Sequence, residues 1–164
     1  MMSSSSQYSL DTSAFIDGLE RYYPAPTFAG LWEAIDTMIS NGRLYASEEV
    51  WEEIKRKDQA VKEWAEPKKG ALFVATDSSI TTEVASLLEV HPRLVMSGGR
   101  RNRADPFVIA LAKLRGATVV TGEGLDGNAQ RPKIPFVCKD LGVPCMRFTD
   151  LITAEGWTFS LVGD

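Results

Sequence analysis

The residues of this chain that could do chemistry together are acidic. Asp11 directly follows the short apolar segment Tyr8-Ser9-Leu10; Glu48, Glu49, Glu52 and Glu53 share one segment; Asp105 precedes Pro106 and an apolar run; Glu123 and Asp126 follow a β-branched run. Carboxylates gathered from separate parts of a chain repel one another at neutral pH. Raised pKa values or a bound cation relieve that repulsion. Hard oxygen donors suit Mg2+, or Mn2+ in its place, ions that keep several waters and share a site with phosphate. That combination serves metal-assisted hydrolysis of a phosphodiester. Each acid also has a plainer role. Asp11 can cap a helix, and Asp105 before Pro106 reads as an N-cap because proline favours the first helical position. The glutamates can be a solvated face, and Glu123 and Asp126 ordinary loop acids.

Other chemistries find less support. The one histidine, His91, precedes Pro92 and is expected in a surface turn; a histidine nuclease or a Ser-His-Asp hydrolase would depend on it alone. The two cysteines, Cys138 and Cys145, fit no zinc spacing and read as reduced and buried. Gly122 to Gly127 matches GxGxxG after a strand, but a dinucleotide fingerprint needs a helix to begin there. Pro132 and Pro135 follow instead, so the match reads as a loop. Ser97-Gly98-Gly99-Arg100 lacks the Gly-Lys-Ser/Thr of a phosphate loop, and Asp11-Thr12-Ser13 lacks the second Asp of an aspartate-nucleophile phosphatase. The net charge of −4 gives no overall field to attract nucleic acid, so RNA would need a local basic patch and bound cations.

The elements that must position these acids follow from periodicity. With 164 residues the chain suits one domain, from residue 8 to 164, behind a serine-rich N-terminal tail over 1–7. No apolar run approaches a membrane span and the tail is unlike a secretory signal, so the cytoplasm is the default location. Strands are expected at Tyr8–Leu10, Arg43–Ala46, Ala117–Thr121, Pro144–Phe148 and, as an edge, Trp157–Phe159; Leu72–Ala75 reads equally as strand or loop. Helices are expected over Thr12–Tyr22, over Phe28–Asn41 with Thr27 as cap, after Ser47 through Ile54, after Asp77 through Leu88, over Phe107–Arg115, and over Ile134–Leu141. The Phe107 helix is apolar nearly all round and should be buried. The charged stretch from Lys55 to Gly70 reads as a solvated face. Alternating strands and helices imply a three-layer α/β/α domain with a mainly parallel central sheet. Such sheets place ligands at the carboxyl ends of the strands, where strand order reverses. On the helix after Ser47, at roughly 100° per residue, Glu48 and Glu53 flank the apolar arc of Val50, Trp51 and Ile54, while Glu49 and Glu52 point away.

Four segments, in this order, resemble the motifs of PIN domains. Leu10-Asp11-Thr12-Ser13 is similar to the opening strand that ends in Asp. Ser47 to Ile54 is similar to the second motif, and that alignment selects Glu53. Ala104-Asp105-Pro106-Phe107-Val108-Ile109-Ala110-Leu111-Ala112 and Gly116-Ala117-Thr118-Val119-Val120-Thr121 are similar to the third and fourth motifs, with Glu123 in the last acidic place. Lys133-Ile134-Pro135-Phe136-Val137-Cys138 and Gly156-Trp157-Thr158-Phe159 resemble a DUF-type bacterial branch of PIN proteins. The resemblance runs from Tyr8 to Phe159. It implies a PIN-like (Rossmann-like) fold and a VapC-like ribonuclease toxin, commonly a homodimer held by a small antitoxin protein. It further implies one or two Mg2+ on Asp11, Glu53 and Asp105, assisted by Glu123 and Asp126. Thr12, Ser13 and Thr121 would then contact Asp11 or substrate, and Arg100, Arg101 and Arg103 the RNA backbone. Two rivals stand beside this: a PIN-like module that binds RNA or protein without cutting, and a Mg2+-dependent phosphoesterase acting on DNA or small phosphoesters.

Overall fold

A computed structural model describes residues 6–96, 104–125 and 127–163. Its centre is a five-stranded sheet in the order β3-β2-β1-β4-β5, built from β1 (Tyr8–Leu10), β2 (Leu44–Ser47), β3 (Phe73–Val74), β4 (Thr118–Val120) and β5 (Cys145–Met146). Every pairing is parallel, with Ser9 opposite both Tyr45 and Val119. The three central strands are buried along their whole length, as strands covered on both faces must be. The chain moves outward from β1 to β3, returns to β4 beside β1, and moves outward again to β5. Right-handed crossovers therefore put the helices between β1 and β3 on one face and those between β3 and β5 on the other, giving the expected α/β/α layers. The helix after β5 packs back on the first face, where Phe148 stacks on Trp32. The order reverses between β1 and β4, where the N–H of Asp11 donates to the Val120 carbonyl at 2.9 Å.

The helices are α1 (Thr12–Ile16), α2 (Ala29–Ser40), α3 (Glu48–Lys57), α4 (Gln59–Ala65), α5 (Lys69–Leu72), α6 (Ser78–Val90), α7 (Arg93–Met96), α8 (Asp105–Arg115), α9 (Ile134–Leu141) and α10 (Phe148–Ala154). Ser47 and Asp77 cap α3 and α6 as expected, accepting from the backbone N–H of Glu49 and Ile80. Helix α8 is the buried one. Val108, Ile109 and Leu111 are all but inaccessible, and each such side chain contributes about 1.5–3 kcal/mol through burial. The Ser9 hydroxyl donates to the Val108 carbonyl at 3.0 Å and ties α8 to β1. Helix α1 runs on as a π-helical turn over Asp17–Tyr22. There the buried Gly18 leaves room for Phe148 and Trp32, which lie 3.0 Å from where a Cβ would stand.

Several local expectations are corrected. Phe28, not Thr27, caps α2, and it makes no side-chain cap bond. The charged stretch from Lys55 to Gly70 is not merely a solvated face: Val61 and Ala65 enter the core from α4, so an apolar residue every few positions outweighs the charge between. Phe148 begins α10 rather than ending a strand, because Asp150 accepts the backbone N–H of Arg147 and starts a helix. Trp157–Phe159 forms no strand; Phe159 stacks edge-on against Phe28. His91 is buried, with Nε2 2.7 Å from the Asp140 carboxylate and its ring edge-on to Phe136, so it closes α6 against α9 rather than lying in a surface turn. Cys138 is buried on α9 and Cys145 half-buried on β5, both free thiols. No helix among the described residues is long and apolar enough to cross a membrane.

Candidate metal centre

The reversal of strand order opens a small cavity of about 110 Å³ at the carboxyl end of the sheet. Asp11, Thr12, Ser13, Ile16, Glu53, Lys57, Asp105 and Glu123 line it. Asp11, Asp105 and Glu123 each offer a carboxylate oxygen, and these oxygens all lie within 4.8 Å of one another. Glu53 lines the same cavity but stands outside that tightest group.

Asp11 leaves the end of β1. Its Oδ1 accepts the Thr12 N–H at 2.8 Å, so the plain capping role is real. Its Oδ2 accepts the Ser13 hydroxyl at 2.6 Å and the Thr121 hydroxyl at 3.0 Å. The same two hydroxyls hold the loop after β4: Gly122 N–H donates to Ser13 Oγ, and Glu123 N–H to Thr121 Oγ1. Two short hydroxyl side chains thus fix one carboxylate and hold the backbone that carries the next.

Asp105 is not the cap that Pro106 suggested. Ala104 occupies the cap position in helical conformation, and Asp105 is the first helical residue. Its carboxyl, freed from capping, is 4% exposed, and its Oδ2 is buried with no hydrogen-bond partner among the described residues. Leaving such an oxygen unpaired costs about 1–3 kcal/mol, more for a charged group. Burial first, then the charges of Asp11, Glu123 and Glu53, push the Asp105 carboxyl well above the usual carboxylate range, against the opposing pull of Lys57. The N-terminus of α8 favours the charged form, and here burial and repulsion outweigh it. Glu123 is raised too, first by burial and then by Asp11, although its Oε1 accepts the Ile134 N–H at 2.8 Å.

Of the two glutamates that geometry left on α3, Glu53 turns inward. It is 3% exposed, and its Oε1 accepts the Thr12 hydroxyl at 2.6 Å. Glu48 is engaged elsewhere, accepting the Thr76 N–H at 2.6 Å beyond β3. Lys57 was not singled out in the sequence. The signal was its place one helical turn after Glu53, on the same side of α3. Arg100, Arg101, Arg103 and Asp126 lie outside the described residues. The Gly122–Gly127 run leads into no helix, and the close approach at Gly127, where a Cβ would meet the Lys133 backbone at 2.7 Å, serves loop packing.

The donor set fits a hard divalent cation. It is all carboxylate oxygen, it converges from three separate elements, and it contains a buried oxygen that no group among the described residues satisfies.

No curated protein matches this sequence. A solved structure of VapBC2 from Rickettsia felis bound to a DNA fragment from their promoter is similar at a TM-score of 0.46 and 14% identity, over 85% of this chain and 97% of that one. That likeness is too distant to carry an activity or a partner across. The family model described as a domain of unknown function, DUF4411, matches residues 8–159, nearly the whole length. The chain belongs to the DUF4411 family.

Proposed function

We propose that this protein is a Mg2+-dependent endoribonuclease that hydrolyses RNA phosphodiester bonds, with Mn2+ able to replace Mg2+. The observation that carries the proposal is the convergence of Asp11, Asp105 and Glu123 within 4.8 Å around an unpaired buried carboxylate oxygen. RNA as the substrate, a role as the toxin of a toxin–antitoxin pair, a cognate antitoxin and a homodimer rest on the PIN-like motifs.

Asp11, Asp105 and Glu123 would hold the ion, and Glu53, facing the same cavity, joins them. When bound, the ion supplies Lewis-acid charge to the scissile phosphate and acidifies water for attack. The chain's own groups do the positioning. Thr12 holds Glu53 through one oxygen. Ser13 and Thr121 fix Asp11. These supporting bonds fix the carboxylates before substrate arrives, so little reorganisation accompanies the reaction. Lys57 brings a positive charge to the cavity wall, where a phosphate oxygen needs one. Asp126, Arg100, Arg101 and Arg103 stay in the proposal as a further metal ligand and as backbone contacts, on the motif resemblance alone.

The test is a cleavage assay on single-stranded RNA with Mg2+, run in parallel on single-stranded DNA and a nitrophenyl phosphoester, with Asp105→Asn as the comparison. The proposal expects RNA products from the parent and none from the variant. Equal products from both proteins, or turnover confined to the other two substrates, would overturn it.

A further inference from the structure

A second cavity, of about 770 Å³, opens beside the acidic one at the carboxyl end of β5. Glu123 lines both cavities. Thr121, which also lines the larger one, hydrogen-bonds Asp11 in the smaller. The two are therefore neighbours along one edge of the sheet, with the end of β4 as their shared wall. The larger cavity has a different chemistry. Leu125, Pro135, Val143 and Met146 line it with apolar surface, and Leu125 is 89% exposed. Its cations are Lys139 and Arg147.

Arg147 is unusual among these. Asp150 accepts from its Nε at 3.2 Å, from its Nη2 at 3.4 Å and from its backbone N–H at 3.0 Å. A carboxylate meeting the fork through two of its nitrogens favours one orientation of the guanidinium plane. The side chain is nevertheless 72% exposed, so the plane is presented to solvent in that favoured orientation. Fixed guanidinium planes stack on unpaired bases. The volume lies in the range of sites that enclose a small organic ligand.

We propose that this cavity receives an unstacked nucleobase of the RNA strand, from a nucleotide adjoining the scissile phosphate, with Arg147 stacked on its face. The inference rests on the ribonuclease reading. A nucleotide carries both parts the two cavities ask for: a phosphate for the cation-binding carboxylates, and a flat, weakly polar ring for the apolar recess beside them. An acidic peptide would meet the carboxylate wall of Glu123 without a phosphate to share a cation. Discrimination between bases then arises in the recess, and the carboxylates are indifferent to sequence.

The experiment measures binding of a short labelled single-stranded RNA by fluorescence anisotropy with Ca2+ present, and cleavage of the same RNA with Mg2+. Arg147→Ala is expected to weaken binding about tenfold, the scale of one lost stack. Arg147→Lys should lose nearly as much, since it keeps the charge and lacks the plane. Leu125→Asp, at an exposed site that leaves the fold intact, should weaken binding similarly. An RNA lacking one base at the responsive position should bind the parent as weakly as the intact RNA binds Arg147→Ala. Parent-like binding by Arg147→Lys and Leu125→Asp, or indifference to the missing base, would overturn the inference. RNA that binds with these dependences yet is never cut would remove the hydrolytic reading and leave the base site standing. RNA that is cut while every variant binds like the parent would do the reverse.

Discussion

Replacing Asp105 with asparagine should make the metal-free protein more stable. The carboxylate oxygens of Asp11, Asp105 and Glu123 lie within 4.8 Å of one another. At that separation two full charges in a medium of effective dielectric near 20 repel by about 3.5 kcal/mol. The penalty has a ceiling, because the carboxyl can take up a proton instead. Holding an ordinary aspartic acid protonated at pH 7 costs about 4 kcal/mol. Asparagine removes the charge but buries an amide in need of partners, which returns about 1–3 kcal/mol. The net expectation is a gain of about 1–3 kcal/mol for Asp105→Asn in EDTA at neutral pH. For a chain of this size each kcal/mol moves Tm by about 2–4 °C. The sign of the pH dependence follows from the raised carboxyls. The folded state binds more protons than the unfolded state between the ordinary carboxylate pKa and the raised one. Stability of the parent in EDTA therefore falls as pH rises through that window. Saturating Mg2+ should stabilise the parent, by about 2.7 kcal/mol at a hundredfold excess over Kd and about 4.1 kcal/mol at a thousandfold excess, enough at the higher excess to reverse the order, while leaving the variant nearly unmoved. Thermal melts followed by circular dichroism, across pH with EDTA or Mg2+, measure all of this. A variant less stable than the parent in EDTA, with a parent indifferent to pH and to Mg2+, would refute the electrostatic reasoning.

Glu53→Gln should lower RNA cleavage by about 10- to 100-fold, the usual cost of disturbing a metal site's immediate support, while Glu48→Gln keeps cleavage and loses at most about 1 kcal/mol of stability, because its amide oxygen still accepts the Thr76 N–H without the charge. Rates and melts on the two variants check this, and an inactive Glu48→Gln would contradict the placement of Glu53. Metal binding should release protons, because Asp105 and Glu123 both titrate above the ordinary range and bind cations only when ionised. Calorimetry in buffers of different ionisation enthalpy should show that release and a metal affinity that rises with pH above the usual carboxylate range; a pH-independent affinity would count against it.

Much of this was legible in the sequence because two independent signals agreed at the same residues. Asp11 ends a strand that a following helix delimits, and Ser47 fixes the register that leaves Glu48 and Glu53 beside the apolar arc, between which the motif resemblance selects Glu53. Where one local signal stood alone it misled. Pro106 marked the helix start correctly, yet the cap fell on Ala104, and tertiary packing decided what the Asp105 carboxyl would face. Trp157–Phe159 has β-type residues but finds no strand to pair with and packs on Phe28. His91 looked like a turn residue because of Pro92, and its partner, Asp140, lies too far along the chain for any local pattern to reveal. Lys57 and the recess beside β5 depend on how helices are brought together, a relation that neither composition nor period carries.

A single cation site formed by Asp11, Asp105 and Glu123 should show itself when Mn2+ is titrated into the folded protein and followed by calorimetry. Saturable binding to the parent should be abolished in Asp11→Asn and Asp105→Asn, both still folded by circular dichroism. Equal binding to the parent and both variants would mean that these carboxylates do not share an ion.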